Sequence, residues 1–375
     1  MVTARNYPWE ALFPPAPTGL EVLIARKRGH PFLALPTERK LALRSLSLYP
    51  GQTWLARLGK RTLAGLLRSG LPVPLERAML PMAEDDPFIR FLNSLESGPI
   101  SALTILAGNP FVPGRRFILL TFDRNGAPGH IFKIGTDPEA IRLIRAEQNV
   151  LETIGGDIPS VIGLHSVYEA PGRHGLAFRY LGGSPPETDD PEGVGRTLSR
   201  WNTNQPPKPL ASLPAWRRLM DTLARRTNSA TAIPFLSTLG RHEVTPVLFH
   251  GDFVPWNIRK TGGGEWVALD WERGELTGIP GWDWFHYVIQ TEVLVAKAPP
   301  SRVCARLETL LSLPTFQRYA RETGIRGVER PLIYAYLKYC VRVWRPEEGI
   351  AQRVRQVAAL WKERCQDTAG DGNKD

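Results

Sequence analysis

His250-Gly251-Asp252-Phe253-Val254-Pro255-Trp256-Asn257 is the stretch on which the reading of this chain turns. It follows the apolar run 247–249 and leads into a second short strand pattern. Asp270, in Leu269-Asp270-Trp271-Glu272, stands 13 residues beyond Asn257. A carboxylate and a carboxamide five residues apart on one loop suit phosphoryl transfer. That reaction asks little covalent chemistry of a protein. It needs a base near the attacking hydroxyl, and ligands for the metal that carries the triphosphate. Asp252 would face the acceptor and Asn257 a magnesium ion, with Asp270 supplying the main metal carboxylate. Magnesium takes a few protein oxygens beside waters and phosphate oxygens, which one amide and one carboxylate match.

With both motifs at this spacing, the chain resembles the aminoglycoside phosphotransferase and choline kinase-like family, distant relatives of protein kinases. The family's catalytic loop reads His-x-Asp with Asn five residues after the Asp, and its metal strand carries an Asp-Trp/Phe-Glu-like tail. The resemblance runs from about Pro99 onward. It implies Asp252 as catalytic base, Asn257 and Asp270 as Mg2+ ligands, ATP or GTP as co-substrate and a small-molecule acceptor. It also implies an α+β, two-lobed protein-kinase-like fold, with a small sheet-containing lobe and a larger, mainly helical one. An N-terminal domain is added in front.

A kinase-like small lobe needs a strand lysine for the α- and β-phosphates and a helix glutamate to hold it. Lys133, in Ile131-Phe132-Lys133-Ile134, and Glu147, on the next helix beside Ile144 and Leu151, stand in that order. Glu139 is the rival, but it falls in the first helical turn, where capping and the helix dipole account for it. The turn 107–114 departs from the family pattern, with two prolines and no Gly-x-Gly. Asn109 can offer a backbone amide to phosphate there, whereas Pro110 and Pro113 cannot. A stiff structural turn fits the same residues. Residues 178–181, with Tyr180 and Leu181, form the inter-lobe linker whose backbone meets adenine in similar proteins. Asp283, in Gly281-Trp282-Asp283-Trp284, matches a further family aspartate that braces the catalytic loop, and His250 reads as a buried anchor. Trp256, Trp271, Trp282 and Trp284 read as core packing, or as the floor of an acceptor pocket.

Working outward, the chain separates into an N-terminal domain over 1–97, a small lobe over 98–182, a large lobe over 183–367 and a disordered tail over 368–375. Strands are expected over 21–25, 32–35, 100–107, 116–122, 130–134, 161–168 and 175–180, then over 247–250, 257–260 and 266–270. A helix over 53–67 carries leucines on one face and Arg57, Lys60, Arg61 and Arg68 off it. Either it packs its leucines inward, or it is a basic amphipathic helix for a membrane surface or another anionic partner. A second helix runs from Thr136, a capping-box residue with Glu139, or from Asp137-Pro138, to Gly155. Residues 330–364 read as two helices broken at Pro346.

The 375 residues suffice for two or three units, and 42% apolar with 22% charged residues is ordinary for a globular protein. No apolar run approaches the roughly 20 residues that span a bilayer, and the first ten residues lack the pattern of a signal peptide. Cys304, Cys340 and Cys365 imply neither a disulfide framework nor a zinc site, and suit a cytoplasmic protein. The net charge of +10 is spread along the chain without a nucleic-acid reader motif. The expected partners are therefore the nucleotide and a small acceptor. The strong positive balance favours a neutral or anionic acceptor, such as a sugar or envelope metabolite. The acidic run 187–192 would suit a cationic one, or be a solvated loop. A nucleotide-binding pseudokinase without turnover is the alternative reading.

Overall fold

The computed structural model describes residues 7–49, 54–96, 98–108, 114–156, 158–203, 205–225, 232–344 and 346–370. Asn109, most of the turn around it and the last five residues lie outside these. The chain is of the α+β class and forms two compact units. Met1–Gly156 with Ile162–Gly182 makes the first, and Asp157–Val161 with Gly183–Asp375 the second.

The first unit is built on one antiparallel sheet of eight strands. They are β1 (Gly19–Lys27), β2 (His30–Pro36), β3 (Glu76–Pro81), β4 (Ala102–Ala107), β5 (Arg116–Phe122), β6 (Pro128–Gly135), β7 (Ser166–Ala170) and β8 (Arg173–Arg179). Their order across the sheet is β3-β1-β2-β4-β5-β6-β8-β7. Arg28 and Gly29 both take positive φ, the backbone of a two-residue hairpin turn whose twist matches its strands.

Alternation along the strands sorts side chains to two faces. Val22, Ile24, Leu103, Ile105, Phe117 and Leu119 share one face with Phe88, Ile89 and Leu92 of α3 (Pro87–Leu95), itself numbered after α1 (Arg39–Ser45) and α2 (Trp54–Ser69). The three α3 side chains are almost fully buried. Each such burial stabilises by about 1.5–3 kcal/mol. Leu23, Ala25, Leu33 and Leu35 point the other way, onto Ala42, Leu46 and Leu67 of the segment containing α1 and α2.

Residues 1–97, expected as a domain of their own, instead extend the sheet. Leu33 pairs with Leu106 and Ala34 with Ile105, so β2 and β4 are hydrogen-bonded neighbours. Two elements of this segment escaped the sequence pattern. β3 is an edge strand with a charged start and a terminal proline, and it buries only Leu80. α3 begins at Asp86-Pro87, where the Asp86 side chain accepts from the Phe88 and Ile89 amides. The strand expected over 161–168 forms later, at Ser166–Ala170, while Val161 bridges Ala268 within the second unit.

The second unit is mainly helical, with α5 (Pro191–Ser199), α6 (Pro214–Ala224), α7 (Ala232–Leu239), α8 (Trp282–Gln290), α9 (Pro300–Ser312), α10 (Pro314–Glu322), α11 (Glu329–Tyr339) and α12 (Glu348–Gly370) following α4 (Pro138–Ile154) of the first. Three short antiparallel pairs interrupt it. β9 (Lys208–Pro209) pairs with β10 (Glu243–Val244), β11 (Val247–Phe249) with β14 (Glu275–Gly278), and β12 (Ile258–Lys260) with β13 (Trp266–Ala268). α12 continues to Gly370, three residues into the segment expected as a disordered tail. Among the described residues no helix is long and apolar enough to cross a membrane.

Candidate active site

The loop between β11 and β12 is tied down at nearly every residue. Phe253, Val254 and Pro255 are buried. Trp201 packs edge-on to Phe253 and Trp271 at 5.2 and 5.0 Å, which supports the loop from its apolar side. Gly251 takes φ +78°, and a Cβ there would come within 2.7 Å of the Arg273 carbonyl oxygen. Only glycine fits both conditions. Asp283, in the first turn of α8, accepts from the His250 and Gly251 amides at 2.8 and 3.1 Å. Burial pushes its carboxyl up to about 7, against the pull of those two N–H groups.

His250 joins the loop to the segment between β13 and Asp270. Its Nδ1 accepts from the Asp252 amide at 3.2 Å, so the ring proton sits on Nε2, which donates to the Leu269 carbonyl at 2.7 Å. Burial lowers the His250 pKa, which keeps this ring neutral. The Leu269 amide in turn donates to the Asn257 carbonyl at 2.7 Å.

Asp252 is held at both carboxylate oxygens. Asn257 Nδ2 donates to Oδ2 at 2.9 Å and to the Asp252 main-chain oxygen at 3.0 Å. His286 Nε2 lies 2.9 Å from Oδ1. The other nitrogen of His286 meets the Tyr336 hydroxyl. Burial raises the Tyr336 pKa well above its usual value, so this hydroxyl keeps its proton. An ionised Asp252 can only accept, so His286 Nε2 is the donor to it. Burial, the largest single effect, acts to raise the Asp252 carboxyl, but the His286 hydrogen bond and the electrostatic pull of His286 and His250 together outweigh it, and the pKa lies below the ordinary range. The result is an ionised carboxylate, 28% exposed, in one fixed orientation.

His286 and Tyr336 were not singled out from the sequence. His286 lies three residues after Asp283 on α8, hence on the same helical face, and that spacing was the available signal. Tyr336 reaches the site from α11, and no local pattern links the two.

Asp270 closes the turn after β13 with φ +67°, a left-handed backbone that non-glycine residues seldom adopt. A metal is tested by donor chemistry. The Asn257 nitrogen is spent on Asp252, which leaves its Oδ1 as the amide oxygen that a metal would take, and Asp270 would add a carboxylate. These are the hard oxygen donors that magnesium prefers. Among the described residues no group of three or more His, Cys, Asp or Glu forms a metal cage. A cation here would draw its remaining ligands from water and phosphate.

Within the first unit, Lys133 on β6 and Glu147 on α4 meet at 2.5 Å, with side chains 8% and 1% exposed. Asp137, not Thr136, caps α4 by accepting from the Glu139 and Ala140 amides. Ile144, Glu147 and Leu151 are then buried on one stripe. Glu139 faces solvent and bonds Arg142. The Tyr180 amide donates to Gly129 at 2.8 Å and its hydroxyl to Ser47 at 3.3 Å, so both serve the fold. Leu181 is half-buried beside it, at the end of the unit.

Three of the four acidic side chains of the run 187–192 are spent on structure. Asp190 caps α5 through the Gly193 amide, Asp189 pairs with Arg306 at 2.6 Å, and Glu192 accepts from the Thr315 hydroxyl. Trp271, Trp282 and Trp284 are buried in the core, and Trp256 is half-buried.

No protein-family model matches the chain, and no curated protein matches it. Similar solved structures include the apo form of a thermostable mutant of aminoglycoside phosphotransferase APH(4)-Ia. It is 13% identical, covers 76% of this chain and 100% of its own, and has a TM-score of 0.45. APH(3'')-Id from Streptomyces rimosus ATCC10970 is 15% identical over 59% of this chain and 88% of its own, with a TM-score of 0.37. The aminoglycoside phosphotransferase from Alicyclobacillus acidocaldarius is 12% identical over 67% and 90%, at 0.35. What this chain is similar to is, in each of these three, an aminoglycoside phosphotransferase.

Proposed function

We propose that the chain is a phosphotransferase that moves the γ-phosphate of ATP or GTP to a hydroxyl of a small molecule. The observation that carries this reading is the ionised Asp252, held between His286 and Asn257 on a loop tied to the turn after β13 that carries Asp270. An acceptor hydroxyl hydrogen-bonded to Asp252 is oriented for in-line attack and gives up its proton to that carboxylate. Asn257 Oδ1 and Asp270 hold magnesium, which when bound offsets charge on the transferring phosphoryl group. Lys133, steadied by Glu147, serves the α- and β-phosphates.

The acceptor is neutral or anionic, a sugar or an envelope metabolite. Asp189, Asp190 and Glu192 of the acidic run that would suit a cation are engaged in pairing and capping, and the net charge is +10. A triphosphate co-substrate and three free cysteines suit a reducing cytoplasm.

The test is mass spectrometry of a bacterial metabolite extract incubated with magnesium-ATP and the parent protein, beside Asp252→Asn. A phosphorylated product formed by the parent alone names the acceptor. ATP binding without any product, across extracts, would sink the reading in favour of a nucleotide-sensing pseudokinase.

A further inference from the structure

Residues 39–75 contain seven Lys or Arg and no Asp or Glu. They fold into α1 and α2, whose inward side packs Ala42, Leu63 and Leu67 onto the sheet. The outward side of α2 is a basic line. Arg57, Arg61 and Arg68 are spaced i, i+4 and i+11, within about 40° of arc on a helix of 3.6 residues per turn, and all three are exposed. Arg39 lies against Gly70 at the end of this line, close enough that a Cβ on Gly70 would meet its guanidinium at 2.8 Å. Leu58 and Leu71 stand beside it, 54% and 55% exposed.

Elsewhere on this unit some exposed arginines are matched by carboxylates, Arg77 by Glu21, Arg142 by Glu139 and Arg145 by Glu169, while Arg28, Arg90, Arg124 and Arg179 stand scattered without an ion pair among the described residues. Among the described residues, Arg39, Arg61 and Arg68 have no such match. A segment that concentrates positive charge, carries no acidic residue of its own and adds two exposed leucines is complementary to an anionic layer with an apolar interior.

We propose that the outward face of α1 and α2 docks this chain reversibly on anionic phospholipid bilayers. It lies on the surface without crossing it. A nucleic acid offers phosphates but no apolar layer for Leu58 and Leu71, which is why lipid is the better occupant. Three arginines in one line present their charges to a plane together. Each basic residue near an anionic leaflet is worth about fivefold in partitioning, so the three together supply roughly a hundredfold. The proposal is independent of phosphoryl transfer and can fail while that reading stands.

The test sediments the full chain with vesicles of phosphatidylcholine alone, and of phosphatidylcholine mixed with phosphatidylglycerol, at low and high salt. The parent should bind only the anionic vesicles and release them as salt rises. Arg57→Gln, Arg61→Gln and Arg68→Gln combined should lose roughly a hundredfold in binding with its thermal midpoint unchanged. Leu58→Ser with Leu71→Ser should bind more weakly than the parent. No binding to anionic vesicles, equal binding to neutral ones, or full binding by the triple variant would each overturn the proposal. So would retention on DNA with no vesicle binding. If the triple variant fails to fold, the parent's dependence on anionic lipid and salt decides alone.

Discussion

His286 Nε2 donates to Asp252 Oδ1 at 2.9 Å, and the same ring receives the Tyr336 hydroxyl on its far side. The carboxylate is thus aimed by two side chains in series, His286 and Tyr336, with no lysine or arginine between them. His286→Leu removes the donor and strands the buried Tyr336 hydroxyl. Turnover should fall about tenfold to a hundredfold while KM for nucleotide changes less than about twofold. His286→Gln, which keeps an N–H donor, should recover part of that loss. Steady-state kinetics reads both, and full activity in His286→Leu would remove the orienting role.

Asp252 and Asp270 should separate binding from chemistry. Asp252→Asn keeps the loop's hydrogen bonding at Oδ1 and should leave nucleotide binding near the parent level, with turnover down roughly a hundredfold to ten-thousandfold. Asp270→Ala should weaken magnesium-nucleotide binding at least about tenfold, seen by calorimetry with and without magnesium. Unchanged magnesium-dependent binding in Asp270→Ala would place the metal elsewhere.

The Lys133–Glu147 pair is buried, so its two possible duties can be told apart. Glu147→Ala removes the carboxylate that a buried ammonium bonds and should cost about 3–5 kcal/mol in denaturant unfolding. Lys133→Met with Glu147→Leu should regain most of that stability, yet bind nucleotide poorly. A double variant that binds nucleotide like the parent would make the pair a core ion pair and nothing more.

Asp283 carries a pH signature. Its carboxyl is raised in the folded state from the ordinary value near 4 to about 7. Between those values the folded protein holds a proton there that the unfolded chain has released. This residue's contribution to stability is therefore full below about pH 4, declines as pH rises, and is flat above about pH 7. Asp283→Asn should remove that slope from thermal midpoints across the window, while lowering stability overall because its amide cannot accept from both loop amides. Parallel slopes in parent and variant would contradict the assignment.

Legibility in the sequence followed locality. The loop 250–257, the strand to Asp270 and the order of Lys133 and Glu147 are contiguous patterns, and they were readable as such. The Lys133–Glu147 contact followed from one strand, one helix and a buried stripe. His286 and Tyr336 were not readable, because their meaning lies in a contact made by α8 and α11, some 50 residues apart. The division at residue 97 failed for a similar reason. A proline-rich opening and a basic helix look like a separate body, but the pairing of β2 with β4 is a long-range event that composition does not report. The acidic run could be read from the sequence as a cation pocket or as a solvated loop, because charge is visible there while the arginine that pairs with Asp189 stands 117 residues away.

That β2–β4 pairing also bears on modularity. β4 is an interior strand here, with a neighbour on each side. A version beginning at residue 98 would turn it into an open edge and strip α3 from the apolar face beneath, the combination that invites aggregation. The leading segment is thus not an accessory that can be exchanged between related proteins as a cassette. Any shuffling event that kept the catalytic residues would have to carry residues 19–95 along in register, because a one-residue slip in β2 sends its whole apolar set to the opposite face.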